Sequence, residues 1–258
     1  MQEDIQRSVN LTDVPPPVPL SAGKTEEIIT VANLKKIYGG VTVLNIPSMQ
    51  IRNGESFGLV GNNGAGKTTF FRLILDLIEA SSGEVQINGE TVARRDAWKA
   101  KVGSFLDESF LIDFLTAEEY FAFTAKVYRK SEGDMHAFLE SMKDFFNGEI
   151  VGSGKLIRDL SKGNQKKTGI AAALISDPQI LILDEPFTAL DPTSQIRLKR
   201  MLNELKTTRN MTMLISSHDL NHVTEVCDRI VVLEKGLVVN DIRTGENTLK
   251  ELESYFAV

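Results

Sequence analysis

The segment Gly61-Asn62-Asn63-Gly64-Ala65-Gly66-Lys67-Thr68 constrains this chain more than any other. It has the form G-x-x-x-x-G-K-[ST], and its surroundings fit that pattern. Residues 56–60, SFGLV, read as a buried strand. Residues 68–80, TTFFRLILDLIEA, place Phe70, Leu73, Ile74, Leu77 and Ile78 at helical spacing, which predicts a helix closed by Ser82-Gly83. A strand, a glycine-rich turn and a helix in that order form a cradle for phosphate. Gly61, Gly64 and Gly66 let the backbone N–H groups of the loop turn inward, so that Asn62, Asn63 and Ala65 surround phosphate oxygens. The helix opening at Thr68-Thr69 adds its positive N-terminal end. Lys67 can reach β- and γ-phosphates, and the Thr68 hydroxyl suits Mg²⁺. The segment therefore implies binding of ATP with Mg²⁺.

A second element gives that cradle a reactive partner. In ILILDEP, residues 180–186, four apolar residues predict a buried strand that delivers Asp184 and Glu185 at its C-terminal end. Ligands sit at that end in open parallel sheets. Asp184 suits a role in holding Mg²⁺ through water, and Glu185 suits activation of an attacking water as general base. Alone, an apolar run ending in Asp-Glu is also what any strand meeting a polar loop looks like. Beside a phosphate loop it has chemical meaning.

The rest of the chain alternates strand and helix patterns. Residues 28–34, 41–45 and 49–51 read as short strands separated by Gly39-Gly40, with Asn53-Gly54 as the next turn, and residues 84–89 as a strand and turn. Thr116 with Glu119 makes a capping box for a helix over 118–128, and 134–146 reads as a second helix. Helices are predicted over 162–175 and 220–227, with strands over 211–216 and 229–233. Asp191-Pro192 places an N-cap and a first-turn proline at the head of a helix running to about 207. The fold class is α/β: a P-loop NTPase with a mostly parallel core sheet, an N-terminal antiparallel β portion and a helical subdomain over about 107–160. Residues 1–26, with PPPVP, read as a flexible tail, either a passive linker or a docking segment. Residues 27–245 form the ATPase domain, and 246–258 a C-terminal helix.

The acidic balance, net charge -6, removes any strong pull toward nucleic acid or an anionic membrane. No run approaches the roughly 18 apolar residues of a membrane span. The first residues are acidic and lack an apolar secretory core, so the expected place is the cytosol or a membrane's cytoplasmic face. The single cysteine, Cys227, cannot form an internal disulfide. Its context, VTEVCDRIVVL, suits a buried core residue better than a reactive thiol.

Three further segments single out a family. LSKGNQKK, residues 160–167, precedes the Asp-Glu strand as a signature motif would; Ala189-Leu190-Asp191 matches a D-loop; Ser217-His218 follows a strand as an H-loop does. Over nearly all of residues 28–240 the chain resembles the ABC (ATP-binding cassette) ATPases, in their bacterial export-type branch. The resemblance implies that Ser161, Gly163 and Asn164 contact the ATP of a second cassette. It also implies that His218 contacts the γ-phosphate, and that Tyr38 stacks on adenine with Val43 nearby. By itself His218 would read as a surface or capping histidine, and Tyr38 as a turn or core residue. The chain departs from the pattern in three places. Asp107 stands where a glutamine is usual, Lys162 replaces the first signature glycine, and Asn164 stands at the usual glutamine. Asp107 still offers oxygen to Mg²⁺.

The resemblance implies a transport-coupled ATPase that works as a homodimer or heterodimer of cassettes against separate integral membrane subunits, with no nucleic-acid partner. The alternative is a soluble cassette ATPase acting on ribosomes or DNA. In the family the junction after residue 107 receives a helix of the membrane subunit, so one or two of Phe110, Leu111, Ile112 and Phe114 are expected at the surface.

Overall fold

A computed structural model describes residues 27–256. The tail read over 1–26, and the last two residues of the C-terminal segment, lie outside the described residues.

Four of the first five strands, β1 (Glu27–Tyr38), β2 (Val41–Arg52), β4 (Ser82–Ile87) and β5 (Glu90–Thr91), pair antiparallel in the order β2-β1-β4-β5. Gly39 and Gly40, both at positive φ, let β1 turn directly into β2. The predicted short strands over 41–45 and 49–51 are one continuous strand. Pro47 and Ser48 between them are exposed, and the ladder to β1 runs through both stretches, with register shifts only at its two ends, near Glu27 and near Lys36.

The second sheet is built from β3 (Ser56–Val60), β6 (Val102–Phe105), β7 (Ile180–Leu183), β8 (Thr212–Ser217), β9 (Arg229–Glu234) and β10 (Leu237–Arg243), in the order β10-β9-β3-β8-β7-β6. All neighbours are parallel except β10, which returns antiparallel along β9. The central strands β3, β7 and β8 are buried throughout because both faces are covered, whereas the edge strand β10 is exposed or half buried. Ile180, Ile182, Leu214, Val231 and Leu233 enter one core with the antiparallel sheet and Phe70, Phe71 and Ile74 of α1 (Lys67–Ile74). Leu181, Leu183, Met213, Ile215, Ile230 and Val232 point the other way. They meet Ile170 to Leu174 of α5 (Lys162–Leu174), Leu198 and Leu202 of α6 (Pro192–Arg209), and Val223 of α7 (Leu220–Val226). Alternation of side chains along each strand thus feeds two cores. Cys227 is buried in the second, and burial pushes its thiol pKa up to about 12, the state of an inert core residue.

Between β6 and α5 lie α2 (Ala117–Val127), α3 (Glu132–Ser141) and α4 (Lys143–Phe146). The Thr116–Glu119 capping box is present in both directions. Phe121 stacks on Phe146 with ring centroids 5.6 Å apart, and both join the core that α5 covers. The helix expected over 134–146 is two helices. Met142 is at once the C-cap of α3 and the residue that opens α4, with its N–H shared between Phe138 and Leu139 carbonyls.

The helix expected over 68–80 ends at Ile74. Asp76 adopts φ 51°, the Leu77 N–H reaches back to Arg72 O at 2.9 Å, and the Asp76 N–H reaches Leu73 O at 3.2 Å. That is a Schellman closure with aspartate in the left-handed position. Leu77 is consequently exposed rather than part of the apolar stripe. The chain closes with α8 (Thr248–Phe256), which buries Leu252. Among the described residues no helix is long and apolar enough to cross a membrane.

Candidate active site

The turn from β3 into α1 carries the glycine-rich loop. Gly66 caps α1 at φ 110°, a conformation that a side chain would strain, and an added Cβ would press on Val43 O at 3.2 Å. The loop is therefore packed against β2. Tyr38, Val43, Asn63, Gly64, Ala65, Gly66, Lys67, Thr68, Thr69 and Glu185 line a cleft of about 300 Å³. Tyr38 is half exposed at its mouth, with Lys36 Nζ 4.7 Å from its ring centroid. Residues far apart in sequence, Tyr38, Val43 and Glu185, thus share one cleft with the loop.

Lys67 is buried, and its ammonium folds back over the loop. It donates to Gly61 O at 2.6 Å and Asn62 O at 3.4 Å, and stands 3.4 Å from Glu185 Oε1. Among the described residues that buried Oε1 has no hydrogen-bond partner. The other oxygen, Oε2, lies 2.8 Å from His218 Nδ1. The Glu185 carboxylate is thus held between an ammonium and an imidazole.

One residue earlier, Asp184 Oδ2 accepts from Thr68 Oγ1 at 2.5 Å, and Oδ1 accepts from Ser216 Oγ. Burial raises the Asp184 carboxyl above its ordinary range, while the Ser216 and Thr68 hydroxyls pull it back. Ser216 also accepts from the Glu185 N–H at 2.9 Å. One hydroxyl at the end of β8 therefore orients both acids at the end of β7. Ser216 stands outside the motifs legible in the sequence; its signal there is its position beside Ser217-His218, on the strand adjacent to the Asp-Glu strand.

Asp107 is elsewhere. Its Oδ1 accepts from the Ser109 N–H at 2.8 Å and from the Ser109 hydroxyl, and its Oδ2 is 3.9 Å from Arg72 of α1. Its contacts are with these two residues and not with Thr68 or Asp184. Ser161 caps α5, accepting from the Asn164 N–H at 3.2 Å. Gly163 packs so closely on the 185–190 turn that a Cβ would lie 2.8 Å from Ala189 O. Ser161, Gly163 and Asn164 do not line the cleft that holds Lys67.

Among the described residues no three His, Cys, Asp or Glu side chains gather as a metal cage. The oxygens of Thr68 and Asp184 are hard donors, and Mg²⁺ is commonly held by one or two such groups together with substrate phosphates. The donor set fits that ion.

The model for the ABC transporter family matches residues 44–188, and one for an AAA domain of a putative AbiEii toxin system matches only 156–223. The lantibiotic transport ATP-binding protein SrtF of Streptococcus pyogenes is 32% identical, over 87% of this chain and 95% of its own. The Nod factor export ATP-binding protein I of Rhizobium meliloti is 34% identical, over 84% of this chain and 64% of its own. Among solved structures, the dimeric MJ0796, a bacterial ABC transporter cassette, superposes with a TM-score of 0.77 at 25% identity, over 85% of this chain and all of its own. With the phosphate loop, the Asp-Glu strand end and this match over most of its length, the chain belongs to the ABC transporter family as an ATP-binding, ATP-hydrolysing subunit.

Proposed function

We propose that the cleft between Tyr38 and Thr69 binds Mg-ATP, and that its hydrolysis, in a dimer of cassettes, drives export through separate membrane subunits. The observation that carries the reading is the Glu185 carboxylate, poised between Lys67 and His218 beside the Thr68–Asp184 pair. Tyr38 is the adenine platform, with Val43 beside it. The N–H groups from Asn62 to Thr69, between Gly61 and the first turn of α1, face the phosphates.

Lys67 exchanges Glu185 for the more highly charged phosphates. That exchange frees Oε1, buried and otherwise unbonded, to accept a proton from water. His218 holds the other carboxylate oxygen and so fixes the direction of Oε1. Its exposed ring is placed to meet the γ-phosphate. Thr68 and Asp184 would hold Mg²⁺, which supplies positive charge to the phosphates when bound. Asp107 adds a third oxygen only by turning away from Ser109 and Arg72. Ser161, Gly163 and Asn164 lie outside the cleft and serve the ATP of a partner cassette, at the positive end of α5.

Phe110 and Phe114 are 51% and 64% exposed, whereas Leu111 is 9% exposed. Two uncovered aromatics after Asp107 suit docking of an apolar helix from a membrane subunit. The relatives' names, a lantibiotic transporter and a Nod factor exporter, support transport and, for the second, its outward direction.

Glu185→Gln tests the reading. The variant should bind ATP normally, lose turnover, and elute as a dimer on gel filtration with Mg-ATP and as a monomer without it. Hydrolysis at the wild-type rate would remove Glu185 as the base.

A further inference from the structure

Lys166 takes no part in the mechanism above, yet its side chain is only 6% exposed. It lies on α5, five residues beyond the cap Ser161, within a run from Gln165 to Leu174 that is buried throughout. An ammonium in such a place is costly unless paired. Its three polar partners come from two other segments of the chain. Nζ donates to Glu185 O at 2.8 Å and to Thr188 Oγ1 at 2.7 Å, and lies 3.7 Å from Glu108 Oε1. Thr188 Oγ1 in turn donates to the same Glu185 carbonyl at 2.8 Å.

That carbonyl belongs to a residue in an unusual conformation. Glu185 has φ 48°, the left-handed region, where a residue with a Cβ is disfavoured by roughly 1–2 kcal/mol. Three donors on that carbonyl, Lys166 Nζ, Thr188 Oγ1 and the Thr188 N–H at 3.4 Å, hold the backbone there, and Lys166 is the one that comes from another segment. Side-chain direction follows from the backbone, so the contacts that fix φ at 185 also fix where the carboxylate meets Lys67 and His218. Glu108, the third partner, begins the turn Glu108–Phe110 that follows Asp107 and carries the exposed Phe110.

We propose that Lys166 is a positioning residue for ATP hydrolysis: anchored by Glu108, it clamps the Glu185 carbonyl and so holds the Glu185 carboxylate in line for its water. The proposal rests on the reading of Glu185 as the base. It adds a consequence: a shift of the 108–114 segment reaches the catalytic carboxylate through one side chain, without passing through the nucleotide.

The test compares Lys166→Met, Lys166→Gln, Glu108→Gln and the double variant Glu108→Gln/Lys166→Met with wild type and Glu185→Gln. ATP affinity is read by calorimetry and kcat by phosphate release from the full chain. Methionine keeps the length and removes the donor. It should leave the Kd for ATP within about twofold and lower kcat roughly 10- to 100-fold, the scale of a carboxylate misplaced by about 1 Å. Glutamine, which can still donate to the carbonyl, should recover most of that loss. Glu108→Gln should lower kcat by a smaller factor at unchanged Kd. The double variant should be no slower than Lys166→Met, since the two residues act through one contact. Wild-type kcat in Lys166→Met overturns the proposal, as does a loss of affinity equal to the loss of kcat. If Lys166→Met fails to fold, Glu108→Gln decides: unchanged kcat overturns it. If Glu185→Gln itself turns over ATP, the reading of the base fails. If Glu185→Gln is dead while Lys166→Met is normal, only the clamp fails.

Discussion

Replacing Lys67 by methionine removes an ammonium while keeping most of the side chain's bulk. In the structure that ammonium holds Gly61 O and Asn62 O and faces Glu185 Oε1 at 3.4 Å. Two effects follow, and they fall on different measurements. Without nucleotide, the two carbonyls lose a donor and Glu185 Oε1 loses the cation 3.4 Å away, so the fold loses about 1–3 kcal/mol. For a domain of this size that lowers Tm by a few degrees, roughly 2–4 °C for each kcal/mol. With nucleotide, two charge-assisted hydrogen bonds to the phosphates disappear, each about 1.5–3 kcal/mol. Lys67 gives up its loop contacts to make them, so the net loss of binding is about 2–4 kcal/mol, or roughly 30- to 1,000-fold in Kd. Calorimetric titration with Mg-ATP reads the second effect, and a circular dichroism melt without nucleotide reads the first. Lys199→Met, which breaks only the Lys199–Glu225 pair on α6 and α7, serves as the control and should leave Kd unchanged. A Kd for Lys67→Met within about threefold of wild type would refute the assignment of the loop to phosphate.

The other predictions concern residues around this centre. Burial lowers the His222 pKa below its ordinary 6.5, against the opposing pull of Asp219, and the ring lies 4.4 Å from that of Phe187. The unfolded chain therefore takes up the proton first, so stability is full above about that pH and falls as the pH drops below it. His222→Gln should flatten the decline in Tm between pH 7 and 5.5, and an unchanged decline would assign it to other groups. Asp107→Gln should keep ATP affinity within about threefold and kcat within about tenfold, because the carboxylate contacts Ser109 and Arg72 outside the cleft and an amide retains an oxygen for Mg²⁺. Abolished turnover in that variant would give the carboxylate a specific role. Phe110→Asp and Phe114→Asp should leave the melting temperature and ATP affinity unchanged, since both rings are already in water, yet abolish co-purification with the membrane subunit. Retention of the subunit would place the docking surface elsewhere.

The sequence by itself determined the parts whose information is local. A glycine loop needs only its own backbone freedom to cradle phosphate, so residues 61–68 were legible with their strand and helix. The run ILIL before Asp184-Glu185 had to be a strand buried on both faces, and Ile180 and Ile182 indeed enter one core while Leu181 and Leu183 enter the other. Caps also act within one turn, which is why Thr116–Glu119 and Asp191-Pro192 read correctly. What failed was what depends on distant partners. β6 and β10 went unread: β6, Val102–Phe105, is four residues long, and the residues of β10 are exposed or only half buried, so neither carries a clear alternating pattern. The true end of α1 was set by Asp76 entering the left-handed region, which apolar periodicity cannot register. The pairing of Ser216 with Asp184 and of Lys166 with Glu108 and Glu185 exists only because β7, β8 and α5 are packed side by side. Composition shows that a lysine is present. Only the fold decides that this one is buried, and a buried charge takes whatever partners the packing brings within reach.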